Sequence, residues 1–209
     1  MNSAEADELL DVLDSSGERT GITRTRFEVH RDGDWHRAVH LWLVTGEGSV
    51  LLQRRSRDKD LEPGLVDVSV GGHLQAGEDW LAVLREAEEE LSVELRPDQL
   101  ELLTEVRSQR HYPDSVDREF QDVYFAVHDA PLTSYRPRCE EVSVLYEVPL
   151  AAAIRLYADG EPVAAAGFDC QGRRNDALLY GEDLIGQARE ETAAALRLLQ
   201  ARLGASRGA

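Results

Sequence analysis

Six consecutive residues, Arg85-Glu86-Ala87-Glu88-Glu89-Glu90, carry the densest chemistry of the chain. On an α-helix, at about 100° per residue, Glu86, Glu89 and Glu90 fall within one arc, because positions i, i+3 and i+4 are surface neighbours. Trp80, Leu84, Ala87 and Leu91 form the opposing apolar stripe. The spacing predicts one helix face in a core and three carboxylates on the other. Like charges this close raise one another's pKa unless a cation sits between them. Hard oxygen ligands at this density suit Mg²⁺, Mn²⁺ or Ca²⁺ rather than zinc. A bare run of glutamates can also be a solvated face. The upstream residues shift the balance. Gly71-Gly72 allow close approach of backbone to a ligand. Ala76-Gly77-Glu78-Asp79 is a turn with acids at a helix start. Arg85 can pair with Glu89 at i+4. A strand, a glycine turn and a carboxylate-bearing helix together make a metal–phosphate site.

The elements that must position this group read as follows. Residues 4–14 form a short amphipathic segment or edge strand. Ile22–His30 alternates weakly and reads as a strand. Ala38–Val44 is a β-branched and aromatic strand, turned at Gly46-Glu47-Gly48 into Ser49–Arg54. Leu65–Val70 is a short strand leading to the helix Trp80–Leu91. Leu100–Arg110, Phe120–His128 and Glu141–Val148 are further strands. C-terminal helices are expected over 149–157, opened by Pro149, and over 187–203, stopped by Gly204. Interleaved strands and helices without a regular βαβ period predict an α/β protein with a mixed β-sheet between helices. The expected organisation is one domain over 1–209, with its core at about 20–150 and an N-terminal β extension.

Composition narrows the partners. The net charge of −17 argues against nucleic acid and anionic membranes, which need a basic footprint. A phosphorylated substrate would need bound cations to offset that charge. Cys139 and Cys170 are too few for a disulfide framework and are expected to be reduced thiols of a cytoplasmic protein. The acidic start, MNSAEADELLDVLD, does not read as a signal peptide.

The stretch around Arg85 resembles the Nudix box, G-x5-E-x7-R-E-U-x-E-E-x-G-U, where U is a bulky aliphatic residue. Gly72, Glu78, Arg85, Glu86, Ala87, Glu89, Glu90 and Val93 match in kind. Six residues rather than seven separate Glu78 from Arg85, and Ser92 stands at the pattern's final glycine. The resemblance implies an α/β/α sandwich, with Mg²⁺ or Mn²⁺ held by Glu86, Glu89, Glu90 and the Gly72 carbonyl. Arg85 would orient the carboxylates. The one-residue deletion is expected to fall in the loop Gln75–Asp79 and to move Glu78 away from the metal group. The helix would start at or just after Asp79.

Phe27–His40, Leu52–Lys59 and Pro63–Ser69 resemble the isopentenyl-diphosphate-isomerase-like branch of that family. The likeness places His30, His36, His73 and Glu119 near a second metal cluster. The isomerase's cysteine position is Gly71, and a second glutamate is read at Gln121, so isomerase chemistry lacks its acid/base group. His40 reads as a structural residue of its strand. The function implied is metal-dependent hydrolysis of a phosphoanhydride in a small-molecule, nucleoside-diphosphate-type substrate. Glu119 and Glu140-Glu141 are candidate general bases, and Arg54 and Arg55 candidate phosphate contacts. The alternatives are an isomerase variant, a prenyl-diphosphate hydrolase and a non-catalytic nucleotide-sensing module. A homodimer stays open.

Overall fold

The computed structural model describes residues 7–206. Its strands are β1 (Leu9–Leu13), β2 (Arg19–Thr25), β3 (Trp35–Val44), β4 (Ser49–Arg55), β5 (Val66–Asp67), β6 (Val70–His73), β7 (Glu101–Tyr112), β8 (Ser115–Val127), β9 (Val142–Pro149), β10 (Val163–Asp169) and β11 (Ala177–Leu179). The helices are α1 (Arg26–Asp32), α2 (Ala82–Leu91), α3 (Leu150–Asp159) and α4 (Arg189–Ser206). The sheet runs β11-β10-β9-β4-β3-β1-β2, with β6 and β8 also paired to β3 and the long β7–β8 hairpin extending from β8. All these pairings are antiparallel except β3 with β8. This is the mixed sheet between helices that the sequence predicts.

Side-chain alternation separates two cores. Val39, Leu41 and Leu43 of β3 and Leu51 of β4 point to α2. Trp42 and Val44, with Val50 and Leu52, point to α3 and α4. Successive residues of a strand face opposite sides, so both faces of these central strands are apolar and both are covered by helices. No helix among the described residues is long and apolar enough to cross a membrane.

Several expected elements differ. The strand read over Ile22–His30 is β2 followed by α1. Thr25 caps that helix: Glu28 N–H donates to its hydroxyl at 3.4 Å, and Thr25 N–H donates to the Glu28 carboxylate at 3.0 Å. This capping box satisfies two end donors that a strand would have left to a neighbour. Gly33, at φ 68°, closes the helix. Leu65–Val70 divides into β5 and β6. Gly204 does not stop the last helix, which runs to Ser206. The strands β10 and β11 had no counterpart in the sequence reading.

α2 begins at Ala82, after a turn in which Leu81 N–H donates to Asp79 Oδ1 at 2.9 Å. Trp80 therefore lies ahead of the helix, exposed and stacked on Tyr124, and Val83 joins Ala87 and Leu91 in the core instead. Ser92 ends α2 in the left-handed region at φ 55°, a conformation costing a non-glycine residue about 1 kcal/mol. Its hydroxyl donates to Arg136 O at 3.1 Å.

The cysteines are not free thiols: Cys139 and Cys170 form a disulfide. The antiparallel register of β9 and β10 sets Asp169 opposite Val144. Cys170 N–H, one residue on, donates to Ser143 O at 3.0 Å. The loop ahead of β9 and the turn after β10 are thereby neighbours, although the cysteines are 31 residues apart.

Candidate active site

The box helix α2 packs against β6, and the contact is made close by Gly72. A Cβ added at Gly72 would lie 2.2 Å from Cδ of Glu86. Only a bare backbone leaves room for that carboxylate. Glu90 accepts from Gly71 N–H at 3.2 Å and from Gln53 Nε2 at 3.1 Å. Arg85 gathers the rest. Its Nη1 lies 2.9 Å from Glu86 Oε1 and 3.1 Å from Glu89 Oε2, and its Nη2 donates to the His73 carbonyl at 3.3 Å. Glu78 grips the same guanidinium with both oxygens, at 3.0 Å and 2.9 Å. Glu78 therefore lies on Arg85 rather than on the glutamate trio.

Glu86 and Glu90 are buried, while Glu89 is half-exposed. Burial pushes the Glu86 carboxyl up to about 7, with Arg85 opposing and Glu89 adding. Burial, then Glu86, raises Glu90 well above the usual carboxylate range. Two buried carboxylates facing each other bind protons when no cation is present.

A second group lies beyond His73. His30 on α1, His36 on β3, His73 on β6 and Asp117 on β8 place one ligand atom each within 4.8 Å of one another. His36 Nδ1 is 3.2 Å from the Asp34 carbonyl, which can only accept, so Nδ1 is the donor there and Nε2 is the nitrogen turned to the group. His30 Nε2, His36 Nε2 and Asp117 Oδ1 are all buried without a hydrogen-bond partner. Burial, then His36, lowers His30 to about 3, and burial lowers His73 well below its ordinary value. Converging orphaned atoms on imidazoles and a carboxylate fit a divalent cation.

Glu119, two residues beyond Asp117 on the same face of β8, contacts His73 Nε2 at 3.3 Å and His36 Nε2 at 3.9 Å. Burial alone would raise it, but Arg110 and then His73 hold it well below the carboxylate range. Arg110 bridges Glu119 and Asp117, the latter at 2.9 Å. Burial and then Glu119 push Asp117 up to about 6. The carboxylate pair of this group is therefore Asp117 and Glu119, not Glu119 and Gln121. Gln121 instead donates to Glu119 Oε2 at 2.6 Å.

Both groups open onto one cleft of about 680 Å³, within the range of small-molecule sites. Arg55, Lys59, Arg110, Arg138 and Glu141 line it as well. Arg54 does not. It is bonded instead to Gly64 O, Asp183 and Tyr146. Neither does Glu140, which is exposed. His40, read as purely structural, lines the cleft beside Gly71. Asp117 and Arg110 were missed in the sequence. The alternation of polar residues along Asp117, Glu119 and Gln121 was the available signal.

The raised glutamates have a consequence for stability. Each binds a proton in the folded chain up to a higher pH than in the unfolded one, so its contribution is lost as pH rises through the folded value. The lowered histidines act with the opposite sign, but only below about 6.5. Between pH 6.5 and 8, the metal-free protein should lose about 1 kcal/mol through Glu86. Mg²⁺ should reverse the trend by favouring the ionised pair. Urea unfolding in EDTA and in Mg²⁺ measures both. A metal-free stability that rises across this window would contradict the assignment.

A family model, the NUDIX domain, matches residues 34–166. Nudix hydrolase 3 of Arabidopsis thaliana is 42% identical over 190 residues, 87% of this chain but only 24% of that protein. An uncharacterized Nudix hydrolase of Clostridium acetobutylicum is 33% identical, covering 80% of this chain and 84% of its own length. Among solved structures, DR0079 from Deinococcus radiodurans superposes with a TM-score of 0.59 at 26% identity, covering 74% of this chain and 91% of that one.

Proposed function

The chain belongs to the Nudix hydrolases, enzymes that act on diphosphate bonds, and from that premise we propose that it cleaves the phosphoanhydride of a small molecule X linked to diphosphate in the cleft at Gly72. The observation that carries this reading is the buried pair Glu86 and Glu90, held by Arg85, Gln53 and Gly71 against a backbone with no Cβ. Glu86, Glu89, Glu90 and the Gly72 carbonyl would hold Mg²⁺ or Mn²⁺, as all-oxygen ligands favour. A bound ion of this kind neutralises diphosphate charge and lowers the pKa of a coordinated water. Arg85 fixes Glu86 and Glu89 in one orientation through charge-assisted hydrogen bonds, and Glu78 fixes Arg85. Arg55 and Lys59 line the same cleft and carry positive charge toward the substrate. Glu119, held ionised by Arg110 and His73, is a weak base near neutral pH; through its contacts with His73 and His36 it would serve beside the group His30, His36, His73 and Asp117.

A second reading names the leaving group. Leu9, Leu61 and Ile185 line the cleft, with Tyr112 the one Phe, Tyr or Trp among the described lining residues. That wall favours an aliphatic group, as in a prenyl diphosphate, over a stacked base. A phosphate-release screen with Mg²⁺ and Mn²⁺ tests both readings. It should cover nucleoside di- and triphosphates, dinucleotides, sugar nucleotides and prenyl diphosphates, with EDTA as control. Release from none of them would overturn the proposal.

Isomerisation of the same prenyl substrates is not expected. Residue 71 has no side chain to move a proton, and both cysteines are in the disulfide. Proton NMR of isopentenyl diphosphate with the protein and Mg²⁺ should show no dimethylallyl methyl signals. Their growth above background would restore the isomerase reading.

A further inference from the structure

The cleft wall holds six Lys and Arg side chains: Arg26, Arg55, Lys59, Arg85, Arg110 and Arg138. Five are offset within the chain. Arg26 pairs with Asp60, Arg55 with Asp67, Lys59 with Glu141, Arg85 with Glu78, Glu86 and Glu89, and Arg110 with Asp117 and Glu119. Arg138 has no carboxylate partner among the described residues. A substrate diphosphate entering this acidic cleft therefore meets one guanidinium that gives up no internal pair to bind it.

The backbone around Arg138 is held tightly for an exposed loop. Its N–H donates to Glu90 O at 2.9 Å, so it is fastened to the end of the box helix. Its carbonyl accepts from Glu141 N at 2.9 Å and Val142 N at 2.7 Å. The next residue, Cys139, is covalently joined to Cys170 beyond β10. That bond ties the loop to the turn after β10, as the Glu90 contact ties it to α2.

Resting on the diphosphate reading above, we propose that Arg138 is a substrate-phosphate contact and that the Cys139–Cys170 disulfide positions it, making substrate affinity depend on the thiol state. Reduction needs a dithiol. One dithiol gives two electrons and two protons, the Cys139–Cys170 bond breaks to two thiols, and the dithiol closes to its own disulfide. The loop then keeps its backbone bonds to Glu90 but loses its second anchor. Arg138 would spend less time over the cleft, weakening binding while leaving the glutamate group in place.

Binding of methylenediphosphonate with Mg²⁺, followed by calorimetry, tests this without turnover. Arg138→Ala should weaken binding tenfold or more, and Arg138→Lys should recover part of the loss. The double change Cys139→Ser and Cys170→Ser should weaken binding several-fold, as should dithiothreitol on the parent. In the Arg138→Ala background the serine pair should have no further effect, since the disulfide acts through Arg138. With the substrate found by the screen, both changes should raise KM more than they lower kcat. No binding to the parent protein would overturn the diphosphate reading and this role with it. Parent binding that survives Arg138→Ala would overturn Arg138 alone. A serine-pair effect of equal size with and without Arg138 would overturn the positioning role.

Discussion

Glu90→Gln should lower kcat by about two orders of magnitude or more, because a ligand of the principal electrostatic stabiliser is lost. The change should not unfold the protein. Glu90 is buried and burial raises its carboxyl well above the usual range, so the metal-free fold favours its neutral form. Glutamine has the same shape and charge as that form, and its carbonyl can still accept from Gly71 N–H. Metal-free stability should therefore stay level or rise while activity collapses and Mg²⁺ no longer raises the melting temperature. Steady-state kinetics and thermal unfolding with and without Mg²⁺ give the two readouts. Full activity in the double Glu89→Gln, Glu90→Gln variant would sink the assignment of this group.

Gly72→Ala should have a loss of similar size from the smallest side chain available. The new Cβ would occupy the space now filled by the Glu86 carboxyl, 2.2 Å from its Cδ. The obstructed atoms are the end of a flexible side chain, so Glu86 swings aside and the fold survives. What is lost is the Arg85–Glu86 contact at 2.9 Å and the alignment of the carboxylates. The kcat should fall by about two orders of magnitude, since small displacements of positioned groups cost that much, with only a modest fall in melting temperature. Because both changes act on Glu86, adding Glu86→Gln to Gly72→Ala should cost little more than either alone. Multiplying losses would show that Gly72 acts through something other than Glu86.

The glutamate group was legible in the sequence because it is local. One helix places Glu86, Glu89 and Glu90 together, and Arg85 reaches Glu89 within the same turn. The central strands were legible for the same reason, from their run of branched side chains. The histidine group was half legible. Its three histidines were singled out, but His30 was given to a strand although Thr25-x-x-Glu28 marks a helix start. Asp117 and Arg110 come from a hairpin whose place beside His36 depends on the pairing of β8 with β3, and no local pattern specifies that pairing. Asp117, which joins the three histidines, lies one alternation along β8 from Glu119, on the side opposite Gln121. Arg54 and Arg55 are adjacent, yet only Arg55 lines the cleft, while Arg54 is bonded to Gly64 O, Tyr146 and Asp183. The disulfide was unreadable because the register of β9 against β10 alone brings Cys139 to Cys170.

The parallel pairing of β3 with β8 governs the order in which the protein is made. Trp35 to Val44 lie against Arg118 to Val127 with the whole box helix and β7 in the intervening chain. Such a contact closes a long loop before it is rewarded, so it forms late and slowly. His36, His73, Asp117 and Glu119 meet only once it has formed. A divalent ion bound by this group, as proposed above, would therefore find no complete nest of ligands on the way to the transition state and would stabilise the finished protein instead. In refolding kinetics, Mn²⁺ should leave the folding limb where it is and lower the unfolding limb. A folding limb accelerated by Mn²⁺ would place the strand pairing early. Metal would thus act as a lock on a completed fold rather than as a seed for it.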